Sequence, residues 1–181
     1  MQTFKQTAIN KLKMRSEHEI QKLIQSHKAI ENFDYQLAVN WAIGLMEEGK
    51  ETDNILMLAS FSKPFDRFEI RPYVTAVLRD FGLEELGLSE SIMVTAYYYL
   101  TEILNETAIR ENLAVLQELC LKNGYKSELM NFYLLHHAWD ELEDIGVNFY
   151  FAGADLENIE EVIKREARIW IDKYAKEIEK F

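Results

Sequence analysis

The chain has 181 residues and carries 31 Asp and Glu against 20 Lys and Arg, a net charge of −11, with 48% hydrophobic and 12% aromatic residues. That apolar content excludes an intrinsically disordered chain, and a single cysteine excludes a disulfide framework. The acidic balance speaks against a general binder of nucleic-acid phosphates, which needs a basic surface. Only 7 Gly and 2 Pro, set among many strong helix formers, point to an all-α fold. No apolar core follows the first lysines, so no secretory signal is expected. No run approaches the roughly 18 apolar residues of a membrane span. The expectation is a cytoplasmic protein with no membrane partner, in one domain spanning residues 1–181.

In chain order, residues 1–31 form a polar, loosely packed helical segment with six bases and three acids. Within it Ser16 to Glu19 resembles a capping box, followed by Ile20, Leu23, Ile24, His27 and Ile30 at helical spacing. Tyr35, Ala38, Ala42 and Leu45 define the next stripe, with Gly49 placed to stop it in a left-handed conformation. A short helix from Asp53 to Phe61 ends before Lys63-Pro64. Asp66 and Glu69 make a second capping box. Pro72 predicts either a kink or a helix start nearby. Ser89 opens a helix that is apolar on nearly every side through Leu104. Ile109, Leu113, Leu116 and Cys120 line the next, closed by Asn123-Gly124. Lys126 to about Ile145 follows, with Phe132, Leu135, Trp139 and Leu142 on one face. A loop from Gly146 to Ala154 carries Phe149, Tyr150 and Phe151.

Asp155 is then the expected N-cap of a long last helix. Its stripe Leu156, Ile159, Ile163, Ala167, Trp170, Tyr174, Ile178 and Phe181 is close to a heptad seam. Running to the C-terminus, that helix would span about 39 Å. No segment alternates long enough for a strand with a partner. The predicted architecture is an all-α bundle of seven to nine helices.

Trp41-Ala42, Leu45, Glu47, Gly49, Ile55, Leu58-Ala59, Phe68-Glu69-Ile70, Tyr73-Val74, Leu78 and Gly82-Leu83 resemble a helical segment of small uncharacterised bacterial proteins. The likeness covers residues 35–83. It implies an all-helical fold and an immunity-like character, without any activity.

Several constellations can carry chemistry. His136 and Asp140 lie four residues apart, as do His137 and Glu141, and either pair can offer two ligands on one helix face. Adjacent histidines diverge by about 100° on a helix, so they are not expected to share a metal. No cofactor, metal or catalytic residue is therefore assigned, with His136, His137, Asp140 and Glu141 the only metal candidates. Cys120 falls on an apolar stripe, where a thiol is inert. No phosphate-binding glycine loop and no Gly-x-Ser-x-Gly turn is present. Tyr97, Tyr98 and Tyr99 either pack around a helix or line a pocket.

Charge is the more specific signal. Residues 1–31 sum to +3, so the remaining 150 carry −14. From Ser127 to Ile163, 37 residues hold nine acids and no Lys or Arg. An acidic surface beside aromatics suits a basic partner, because charge steers association and aromatic rings anchor it. The expected function is an acidic interaction module, an immunity- or antitoxin-like antagonist of a basic protein. Its expected contact surface is Trp139, Asp140, Glu143, Asp144, Tyr150 and Asp155. The alternative is a small-ligand-binding or metal-dependent helical enzyme. A monomer or weak homodimer is expected, because the last seam can pack on its own chain or on a copy.

Overall fold

A computed structural model describes residues 18–181. Of the capping box at Ser16 to Glu19, Ser16 and Glu17 lie outside the described residues, as does the start of the N-terminal segment. Eight α-helices follow: α1 (18–25), α2 (Tyr35–Glu47), α3 (Asp53–Ala59), α4 (Arg67–Asp80), α5 (Leu88–Leu104), α6 (Ile109–Lys122), α7 (Met130–Ile145) and α8 (Ile159–Ile178). A 3-10 turn, Ser127–Leu129, leads into α7. Among the described residues there is no strand, and no helix is long and apolar enough to cross a membrane. The all-α prediction holds. The chain's contacts divide into two units, the first running through Val94 and the second from Thr95 to Lys180, with the boundary inside α5.

In the first unit α2 packs on α3 and α4, and α3 packs on α4. Their inward faces are fully apolar: Ala38, Ala42, Ile55, Leu58, Ile70, Val74 and Val77 have no exposed surface. Residues of the first segment join this core. Leu23 and Ile24 are buried, as are Ser26 and His27. Helix ends follow local chemistry. Gly49 adopts φ +77°, while its N–H donates to Met46 O and Lys50 N donates to Leu45 O, both at 2.9 Å. That pair of bonds closes α2 in the manner expected of a left-handed glycine. Asp66 caps α4 through a 2.7 Å bond from Phe68 N. The helix starts at Arg67 and runs through an exposed Pro72, so it begins five residues before the proline rather than at it.

Helix α3 has only seven residues, too few to hold itself together by backbone bonds alone. It relies on Thr52, whose hydroxyl accepts from Ile55 N at 3.2 Å and donates to Asp80 Oδ2 at 2.7 Å. Thr52→Ala removes the cap and the tie to the end of α4. A loss of about 1–2 kcal/mol is expected, read from urea unfolding. An unchanged midpoint would show that burial of Ile55 and Leu58 suffices by itself.

In the second unit α6 packs on α7 and α7 on α8. Leu113, Leu116, Cys120, Leu129, Leu135, Ala138, Ile163 and Ala167 are completely buried. Burial, followed by the charge of Glu128, pushes the Cys120 thiol up, which keeps it protonated and inert. The last helix departs from expectation at its start. It begins at Ile159, not after Asp155, and its 20 residues span about 30 Å. Asp155 still accepts backbone bonds, from Glu157 N and Asn158 N at 2.9 Å each, but it closes a turn ahead of the helix. Leu156 is consequently left exposed, whereas Ile159, Ile163, Ala167, Trp170 and Ile178 are buried as the seam requires. The indole of Trp170 donates to Glu128 O at 2.8 Å, tying α8 to the turn before α7.

Candidate functional site on helix α7 and the following loop

Helix α7 turns Phe132, Leu135, Ala138 and Leu142 into the core. Tyr133, His136, His137, Trp139 and Asp140 are then left partly exposed. The i,i+4 spacing places Tyr133 against His137, with ring centroids 4.6 Å apart. Tyr125 extends this row below at 5.4 Å from Tyr133, and Tyr150 extends it above at 5.2 Å from His137. Four rings from three chain segments thus make a row of edge-to-face and tilted contacts along α7.

The two histidines sit closer than helical geometry alone suggests. Their ring centroids are 5.8 Å apart, and one ligand atom from each of His136, His137 and Asp140 falls within 4.8 Å of the others. Backbone directions diverge by about 100°, but imidazole side chains are long enough to lean back toward a shared point. His136 Nδ1 lies 3.3 Å from Asp140 Oδ2, without the alignment of a hydrogen bond. Burial holds the His136 ring below its ordinary value, with Asp140 opposing and the His137 and Arg110 charges assisting. Glu141 does not belong to this cluster. Its Oε2 accepts from Phe149 N at 2.8 Å.

Arg110, at the start of α6, was invisible to the sequence pattern. Its guanidinium donates to Asp140 Oδ1 at 2.7 Å and to Glu143 Oε1 at 3.0 Å, and it lies 4.8 Å from the Trp139 ring centroid. Lys164 is similarly spent: it is nearly buried and pairs with Glu106 at 2.9 Å and with Glu161. The stretch without Lys or Arg in sequence is therefore partly neutralised in space. Trp139, Asp140 and Glu143 are engaged by Arg110, Glu143 remaining exposed, whereas Asp144, Tyr150 and Asp155 are exposed and not engaged by Arg110, although Tyr150 packs on His137 and Asp155 accepts two backbone bonds.

The loop after α7 is irregular but not unsupported. Gly146 leaves the helix at φ +77°. Asn148 accepts from Phe151 N at 2.8 Å and donates to Ala154 O at 2.7 Å. Asn158 donates to Gly153 O at 3.1 Å and accepts from Asp155 N at 2.9 Å. These two asparagines, with Glu141, pin the backbone from both ends. At its tip Phe149 is 83% exposed, flanked by exposed Ile145, Val147, Tyr150 and Leu156. The triple tyrosine, by comparison, is half-buried, with Tyr98 and Tyr99 in edge-to-face contact at 5.2 Å. Neither family models, nor curated proteins, nor solved structures match this chain.

Proposed function

We propose that the protein is an acidic interaction module acting in the cytoplasm, and that it captures a basic partner protein through the loop after α7. The immunity-like likeness of residues 35–83 agrees with an antagonist role. The observation that carries this reading is Phe149. A large apolar side chain 83% exposed gains nothing in the free protein, yet its backbone is held by a dedicated Glu141 contact. An exposed aromatic on a pre-ordered loop has already lost the entropy that binding would otherwise cost. Such anchors dominate binding energy. Asp144, Asp155, Glu157 and Glu160 lie exposed in the adjoining chain, and they supply the field that steers a basic surface to the anchor.

Affinity capture with the wild-type chain should retain a basic protein, and Phe149→Ala should weaken that complex by about tenfold to a hundredfold. Asp144→Lys with Asp155→Lys should slow association and flatten its dependence on salt. An acidic captured protein, or unchanged binding by both variants, would sink the proposal.

A further inference from the structure

We infer that His136, His137 and Asp140 form a three-ligand site for a divalent cation of the zinc class. The site is independent of what binds the neighbouring loop. Two imidazoles and one carboxylate suit zinc, cobalt, nickel or copper, whereas calcium and magnesium demand shells made mostly of oxygen. Metal–ligand bonds of about 2.0–2.2 Å in a tetrahedral shell set neighbouring ligand atoms roughly 3.3–3.6 Å apart. The His136 Nδ1 to Asp140 Oδ2 separation is 3.3 Å. One ligand atom from each of the three residues lies within 4.8 Å of the others, so binding requires the set to draw in to that spacing.

Two further observations support a ligand rather than a packing role. His136 Nδ1 and His137 Nε2 are both buried atoms without a hydrogen-bond partner. A buried imidazole nitrogen left unpaired costs free energy, and a shared cation removes that cost at both rings. Arg110 holds Asp140 by Oδ1 alone, which leaves Oδ2 facing His136 and fixes the carboxylate as an outer-shell partner does. The guanidinium charge does not repel a cation outright, because Glu143 shares it with Asp140 and the three groups together are negative. Three protein ligands leave a fourth position for water, the arrangement that distinguishes reactive zinc sites from closed structural ones.

The test uses untagged, chelator-treated full-length protein titrated with Zn²⁺, and with Co²⁺ as the spectroscopic probe. One equivalent should bind. Affinity should fall by more than about tenfold in His136→Ala and in Asp140→Ala, and remain as wild type in His18→Ala. The chain has only four histidines, so a readout that needs no variant is also available. Zn²⁺ should shift the imidazole resonances of His136 and His137 and leave those of His18 and His27 in place. Absence of saturable binding, retention of binding in a His136→Ala/His137→Ala variant, or shifts confined to His18 would overturn the site.

Discussion

Phe132→Ala should cost the second unit about 3–5 kcal/mol, the range for deleting a buried aromatic ring and leaving a cavity. Phe132 is 1% exposed on the face of α7 that is buried where α7 packs with α6 and α8. The same substitution at Phe149, 83% exposed, should change stability by less than about 0.5 kcal/mol. Urea unfolding of the two variants beside wild type makes the comparison. The pair separates the fold from the proposed contact: one ring holds the helix that carries the histidines, and the other lies exposed on the loop. A large loss of stability at Phe149, or none at Phe132, would refute this division of roles.

Acidification should weaken the first unit through His27. This ring has no exposed surface, and burial lowers its value from 6.5 to about 4, with Glu85 only partly compensating. Glu85 Oε1 is 3.2 Å from His27 Nε2 and also accepts from Thr75 at 2.8 Å and pairs with Lys28 at 2.8 Å. For Glu85 itself burial acts upward, but the bonds from Lys28, Thr75 and His27 outweigh it and hold the carboxyl below its usual value. An ionised carboxylate only accepts, so Nε2 carries the histidine proton. Nδ1 is then a buried nitrogen with no partner, and adding a proton there creates a buried charge without an acceptor.

The folded value lies below the unfolded one, so the unfolded chain binds the extra proton first. Stability from the neutral ring is complete above about pH 6.5 and declines as pH falls toward 4. At about 1.4 kcal/mol per pH unit over that window, the loss approaches 3 kcal/mol. His27→Gln should have a flatter stability profile between pH 6.5 and 4.5 than wild type. Parallel profiles would show that the ring is protonated without penalty.

How much of this was legible beforehand differs between fold and site. Helix existence was, because periodicity of apolar residues and the stop at Gly49 are local signals. Boundaries were less so. Asp155 has the side chain of a cap, and it does bond to backbone amides, but the same side chain also closes a turn ahead of a helix, and here the helix starts at the buried Ile159. Of the two alternatives at Pro72, the helix start lies five residues earlier, at Arg67, since a proline inside a helix removes one backbone bond without displacing the core face.

The site was legible only in its parts. His136, His137, Asp140, Tyr150 and the acids stand out in a linear reading. Their engagement does not, because Arg110 lies 30 residues before Asp140 and 33 before Glu143. A stretch empty of positive charge in sequence can meet one across a helix pair, and Trp139, Asp140 and Glu143 do. The sequence by itself determined an all-helical, strongly acidic chain and the identity of its candidate ligands, since those follow from composition and from spacing within single helices. Tertiary structure decided which acids stay exposed, which aromatic stands out from a pinned loop, and that ligand atoms of two adjacent histidines and Asp140 lie within 4.8 Å of one another. Those outcomes depend on side-chain directions and on contacts between distant segments, which no local periodicity encodes.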